Sequence, residues 1–69
     1  MNAKPLKDAL MRRPFRPFSV RLASGALVKI DSEHQALIHP RTGKTLFIFE
    51  DDGGFQILDI PQITEVKSR

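Results

Sequence analysis

Phe18-Ser19-Val20-Arg21-Leu22-Ala23-Ser24-Gly25-Ala26-Leu27-Val28-Lys29-Ile30 reads as a β-hairpin, and the alternation of its side chains dictates how the two strands pair. Phe18, Val20 and Leu22 share one face of the first strand, so Ala26, Val28 and Ile30 must share it on the second. A two-residue Ser24-Gly25 turn would pair Leu22 with Leu27 and set Lys29 opposite Val20, placing a charge on the apolar face. A three-residue loop, Ala23-Ser24-Gly25, instead pairs Leu22 with Ala26, Val20 with Val28 and Phe18 with Ile30. It also puts Gly25 at the third loop position, where this kind of hairpin requires a left-handed backbone.

Downstream, Asp51-Asp52-Gly53 repeats the device. It sets Phe49 opposite Phe55 and Phe47 opposite Ile57, which predicts an aromatic-rich inner face. Leu46, Ile48 and Leu58 then fall on the outer face, where three large aliphatic side chains need a cover. The cover is expected to be the N-terminal helix or another subunit, so a homo-oligomer is predicted with Leu46, Ile48 and Leu58 at its interface. Residues 35–39 read as a strand or the bent continuation of the second one, residues 40–44 as a turn, and Pro61 as a corner before a last strand over residues 63–66.

Toward the N-terminus, residues 3–13 read as a helix with Asn2 as its cap and Pro5 tolerated in the first turn. Leu6, Ala9, Leu10 and Arg13 follow the spacing of one helical stripe, and Arg12 and Arg13 suit the helix C-terminus. Pro14 ends the helix. Pro14-Phe15-Arg16-Pro17-Phe18 is a stiff extended connector, because each proline fixes its own φ and biases the residue before it away from helix. Residues 1–69 thus form a single domain: helix over 1–13, connector over 14–18 and β-domain over 18–67. A helix followed by five antiparallel strands, the second long and bent, is the order of a small SH3-like or Sm-like barrel or a strongly bent sheet, a mainly-β (α+β) fold. Closing the sheet would also remove edge strands.

Sixty-nine residues build only a thin core. Cysteine is absent, which excludes disulfides and thiolate metal sites and leaves oligomerisation as the expected compensation. No apolar run approaches the roughly 18 residues of a membrane span. The N-terminal segment also lacks the apolar core of a signal peptide, so a cytoplasmic protein without a membrane partner is expected. Net charge is +3, unevenly spread. Residues 1–30 hold seven Lys and Arg against Asp8 alone, whereas residues 31–69 hold four basic and seven acidic side chains. Such asymmetry suits an anionic partner for the basic half, nucleic acid foremost, with Arg12, Arg13, Arg16, Arg21 and Lys29 as the contact residues. The opposing reading is that the acidic half folds back and neutralises them.

The chemistry-bearing residues are few. His34 and His39 lie five apart on an expected strand and so project to opposite faces, which argues against a metal pair. Glu50-Asp51-Asp52-Gly53-Gly54 lacks the ligand series of a calcium loop and matches ordinary hairpin chemistry. No nucleophile elbow, glycine-rich phosphate loop or paired-acid arrangement occurs, and so small a chain has little volume for a substrate pocket. No catalytic residue, cofactor or small-molecule substrate is therefore expected. The expected activity is non-enzymatic binding, either of an anionic partner or, as the alternative, protein–protein assembly through an exposed apolar sheet face. Tyrosine and tryptophan are absent, which weakens base stacking but leaves phosphate contacts open.

Pro14-Phe15-Arg16-Pro17-Phe18, the Ser24-Gly25 turn, Pro40-x-x-Gly43 and the run from Asp51-Asp52-Gly53-Gly54-Phe55 through Ile57-Leu58-Asp59 to Ile63-Thr64-x-Val66 resemble a family of short uncharacterised bacterial proteins. Members of that family usually carry a His-Pro pair after the second strand, where this chain has Asp31-Ser32. Element order and the stretch from Asp31 to Leu37 are also similar to Sm-like RNA-binding proteins, with Asp59-Ile60-Pro61 in place of their second basic signature. The first family carries no known activity, and the second resemblance implies a fold without carrying over a nucleotide pocket.

Overall fold

A computed structural model of the chain describes residues 3–68. Helix α1 (Lys4–Met11) is followed by β1 (Phe18–Leu22), β2 (Leu27–Ile30), β3 (Ala36–Ile38), β4 (Thr45–Phe49) and β5 (Phe55–Asp59). A 3-10 turn at Ile60–Gln62 then leads into β6 (Ile63–Ser68). The strands form two antiparallel three-stranded sheets, ordered β2-β1-β6 and β3-β4-β5. The mainly-β expectation holds, but the five-stranded closed barrel does not. The anticipated long second strand is broken by residues 31–35, where the Asp31 N–H donates to the Gln35 side-chain carbonyl (2.8 Å) and the Gln35 N–H donates to the Ser32 carbonyl (3.1 Å). Its two halves, β2 and β3, join different sheets. Pro61 and the 3-10 turn likewise separate β5 from β6, and no ladder joins those two strands among the described residues.

Both hairpin registers agree with side-chain parity. Phe18 pairs with Ile30 and Val20 with Val28, while the Leu22 N–H donates to the Ala26 carbonyl at 2.9 Å. In the second hairpin Phe49 pairs with Phe55 and Phe47 with Ile57. Gly25 (φ 94°) and Gly53 (φ 93°) adopt the left-handed backbone that these loops need. β6 carries one extra residue opposite the Arg21–Leu22 step, and the Thr64 hydroxyl there donates to the Arg21 carbonyl at 3.3 Å.

The helix is two residues shorter than expected at its C-terminus, since Arg12 already has an extended backbone. Its anticipated cap, Asn2, lies outside the described residues. Leu6 is fully buried, and Ala9 and Leu10 pack beside it, as the stripe requires. Leu6 joins Phe18, Val20 and Ile30 of the first sheet and Ala36, Leu46 and Ile48 of the second in one core, closed by Ile60 and Ile63. Burying an aliphatic side chain of this size contributes about 1.5–3 kcal/mol.

One expectation is inverted. Leu46 and Ile48, assigned to the outer face, are 0% and 1% exposed, and Leu58 is half-buried against the same core. Phe49, Phe55 and Ile57, assigned to the interior, face solvent. Both faces of this hairpin are apolar, so alternation alone does not choose between them. The ends of the strands do. Thr45 and Asp59 form one rung on the aromatic face, whereas Leu58 shares parity with buried Ile60. A charge can end an outward face far more easily than an inward one.

Candidate interaction surfaces

The outward face of the β3-β4-β5 sheet is built from odd-numbered residues. Leu37, Phe47 and Ile57 stand side by side on one rung, with Phe49 and Phe55 on the next. Leu37 (53%), Phe49 (49%), Phe55 (63%) and Ile57 (57%) are all exposed, and Phe47 is half-buried among them. Their exposed area adds up to roughly 400 Å², the size at which the largest apolar patch of a monomer is commonly functional. The His39 ring lies 6.3 Å from that of Phe47 and borders the patch, its Nδ1 accepting the Arg41 and Thr42 N–H groups at 3.2 Å.

Charged residues flank the sheet at both ends, with Asp59 on the apolar face itself and Glu50 and Lys44 sharing the parity of the core face. Beyond Phe49 and Phe55 lies the hairpin loop with Glu50, Asp51 and Asp52, all exposed. Asp52 accepts the Gly54 N–H at 2.8 Å, and Glu50 accepts from the Gln56 side chain at 3.3 Å. At the other end of β4, the turn over residues 40–44 presents Arg41 and Lys44, with Asp59 on the neighbouring strand. A shallow recess of about 280 Å³ flanks the acidic end, lined by Asp31, His34, Gln35, Phe49 and Asp51 among others. His34 occupies the turn between β2 and β3 rather than a strand.

The five basic residues expected to act together differ in their partners. Arg13 is tied to Glu33 at 2.9 Å, and Arg21 to Glu65 at 3.2 Å. Glu33 and Glu65 come from the acidic half of the chain, so that half does fold back on the basic one. Arg21 and Lys29 do share a sheet face, as the register requires, but Glu65 sits beside Arg21 on the next strand. Lys29 shares a rung with Ser19 and Lys67 on the outward side of the first sheet. Arg12 and Arg16 are exposed and line a separate recess of about 100 Å³ with Pro17, Phe18, Val66 and Ser68.

Leu46 and Ile48 belong to the core and present no surface for a partner, and Leu58 packs half-buried against it; the exposed apolar residues are the ones sequence parity had turned inward. Asp59 and Thr45, the polar pair closing the aromatic face, were the available signal. Among the described residues no group of three or more His, Asp or Glu could hold a metal ion, and no helix is long and apolar enough to cross a membrane. Comparison with family models, curated proteins and solved structures finds no match.

Proposed function

We propose that this chain is a non-enzymatic protein-interaction module that works through the outward face of its β3-β4-β5 sheet. The observation that carries the reading is the contiguous set Leu37, Phe49, Phe55 and Ile57, each about half exposed or more in a chain of only 69 residues. A small domain spends its scarce apolar residues on its core unless a partner covers the remainder. Both recesses fall below the usual 300–1,000 Å³ of small-ligand sites, in keeping with recognition over a flat surface.

A photo-reactive phenylalanine analogue at Phe55 tests this in cells. Protein adducts are expected from position 55 and not from Lys29 on the other sheet, and they should vanish when Ile57→Asp is added. Equal labelling from both positions, or none from position 55, contradicts the reading.

A second reading, contact with nucleic acid or another anionic polymer, has one observation in its favour: the recess containing Arg12 and Arg16 has no acidic residue in its lining. Two phosphate contacts there would give a salt slope of about −2, measurable with labelled oligonucleotides between about 50 and 200 mM salt. Binding that survives R12A/R16A, or no binding at the lower salt, removes it.

A further inference from the structure

Resting on the reading of this sheet as the interaction surface, we infer that its partner is an extended segment of another protein, added antiparallel to β5 as a fourth strand and carrying a basic residue opposite Asp59. The inference comes from the direction in which the β5 backbone points. At one end of the hairpin the Glu50 N–H donates to the Gly54 carbonyl at 2.8 Å, and at the other the Ile60 N–H donates to the Lys44 carbonyl at 2.8 Å. Bonded and non-bonded rungs alternate in an antiparallel ladder. The Ile48–Gln56 and Leu46–Leu58 rungs therefore hold the bonds between β4 and β5. The N–H and C=O groups of Phe55 and Ile57, with the N–H of Asp59, point away from β4. β5 is the last strand of its sheet, and among the described residues no strand pairs with it on that side.

The other three edges are guarded. β2 presents Lys29, and β6 presents Glu65 and Lys67, charges of the kind that blunt an edge. β3 is three residues long and begins at buried Ala36. β5 is five residues long, exposed at four of them and uncharged until Asp59. A row of donors and acceptors at strand spacing is answered by another extended backbone. Residues of the added strand opposite Asp59, Ile57 and Phe55 share the apolar face with them. Run antiparallel, they read basic-x-aliphatic-x-aromatic from the N-terminus. The cation answers Asp59, which is exposed and makes no ion pair among the described residues, and the apolar pair extends the patch of Ile57 and Phe55. A second copy of β5 in this register sets Asp59 of each chain opposite Phe55 of the other and leaves both carboxylates without a cation, so the occupant is a different sequence.

A labelled synthetic peptide, Thr-Lys-Thr-Ile-Thr-Phe-Thr with both ends blocked, tests this on the full chain by fluorescence anisotropy. It is expected to bind in the high micromolar range. Methylating the backbone nitrogen of its isoleucine removes the bond to the Ile57 carbonyl and should weaken binding at least about ten-fold. Methylating the threonine nitrogen just before it, which faces away from β5, should change binding less than about three-fold. Replacing the peptide lysine with glutamate should weaken binding about three-fold or more at low salt, and Asp59→Lys, checked for folding by circular dichroism, should recover it. Amide hydrogen exchange at Phe55 and Ile57 should slow when the peptide binds, while that at Gln56 and Leu58, already bonded to β4, changes little.

No binding at millimolar peptide, equal loss from the two methylations, or unaltered exchange at Phe55 and Ile57 overturns the inference. A chain that sediments as a dimer and excludes the peptide overturns it in favour of a second copy. Photo-adducts from position 55 beside any of these results refute strand addition alone. Absence of any adduct refutes the underlying reading as well.

Discussion

Exchanging Ile48 and Ile57 for valine, one at a time, separates the two faces of the second hairpin by their energetics. The positions are neighbours in space: Ile48 is on β4 and Ile57 on β5, one rung apart but on opposite faces. Ile48 is 1% exposed and Ile57 57% exposed. Removing one methylene from a closed core costs about 1 kcal/mol, from lost transfer energy plus the small void left behind. At an exposed site the same change stays within about 0.5 kcal/mol. Valine is preferable to alanine because a chain of 69 residues has only roughly 3–10 kcal/mol of stability in total, and a 2–5 kcal/mol loss could unfold it. With a urea slope near 1 kcal/mol/M, Ile48→Val should lower the unfolding midpoint by about 1 M, and Ile57→Val by less than half of that. The titration is run dilute, by intrinsic circular dichroism, so that association adds nothing to either midpoint. Equal shifts, or a larger one for Ile57→Val, would refute the face assignment and everything built on it.

Other perturbations probe the frame around that face. Gly25→Ala and Gly53→Ala should each cost about 1–2 kcal/mol in thermal or urea unfolding; nothing lies within 4 Å of the added Cβ at either position, so the loss is wholly that of a left-handed backbone. Gln35→Ala removes the acceptor of the Asp31 N–H in the turn that divides β2 from β3, and should cost about 0.5–1.5 kcal/mol by the same assay. Glu65→Gln breaks the exposed pair with Arg21 and should change stability by no more than about 1 kcal/mol, with the difference shrinking as salt is raised.

Much of the fold is legible in local chemistry. Gly25 and Gly53 dictate two loop lengths, and loop length with period-two alternation dictates every rung from Phe18–Ile30 to Phe49–Phe55. Leu6, Ala9 and Leu10 give the helix its buried side for the same reason. Pairing, however, says which residues stand opposite one another and leaves open which side of the sheet meets the core. Where one face is polar, as with Ser19, Arg21 and Lys29, burial of the other follows at once. The second hairpin offers Leu46, Ile48 and Leu58 on one side and three phenylalanines with Ile57 on the other, and hydrophobicity favours the wrong one. The decision is tertiary: Ile60, Ile63, Ala36 and Leu6 converge on the aliphatic side. The division of the second strand is local by contrast, resting on the Asp31 N–H donating to the Gln35 side chain and the Gln35 N–H to the Ser32 carbonyl, contacts that period-two alternation does not register. The basic residues were visible as a set, but their ion pairs with Glu33 and Glu65 depend on contacts 20 and 44 residues distant in sequence. These are the contacts that a count of charges along a chain does not reveal.

Methyl and aromatic NMR signals, recorded with a soluble paramagnetic agent before and after the Thr-Lys-Thr-Ile-Thr-Phe-Thr peptide is added, test the central claim most directly. Without peptide the resonances of Leu37, Phe49, Phe55 and Ile57 should broaden strongly, while those of Leu46 and Ile48 stay sharp. With peptide bound, Phe55 and Ile57 should become protected together, and Lys29 and Lys67 on the other sheet should remain accessible. Broadening of Leu46 and Ile48 in the free chain, or Phe55 and Ile57 still open to the agent in the complex, would contradict the account.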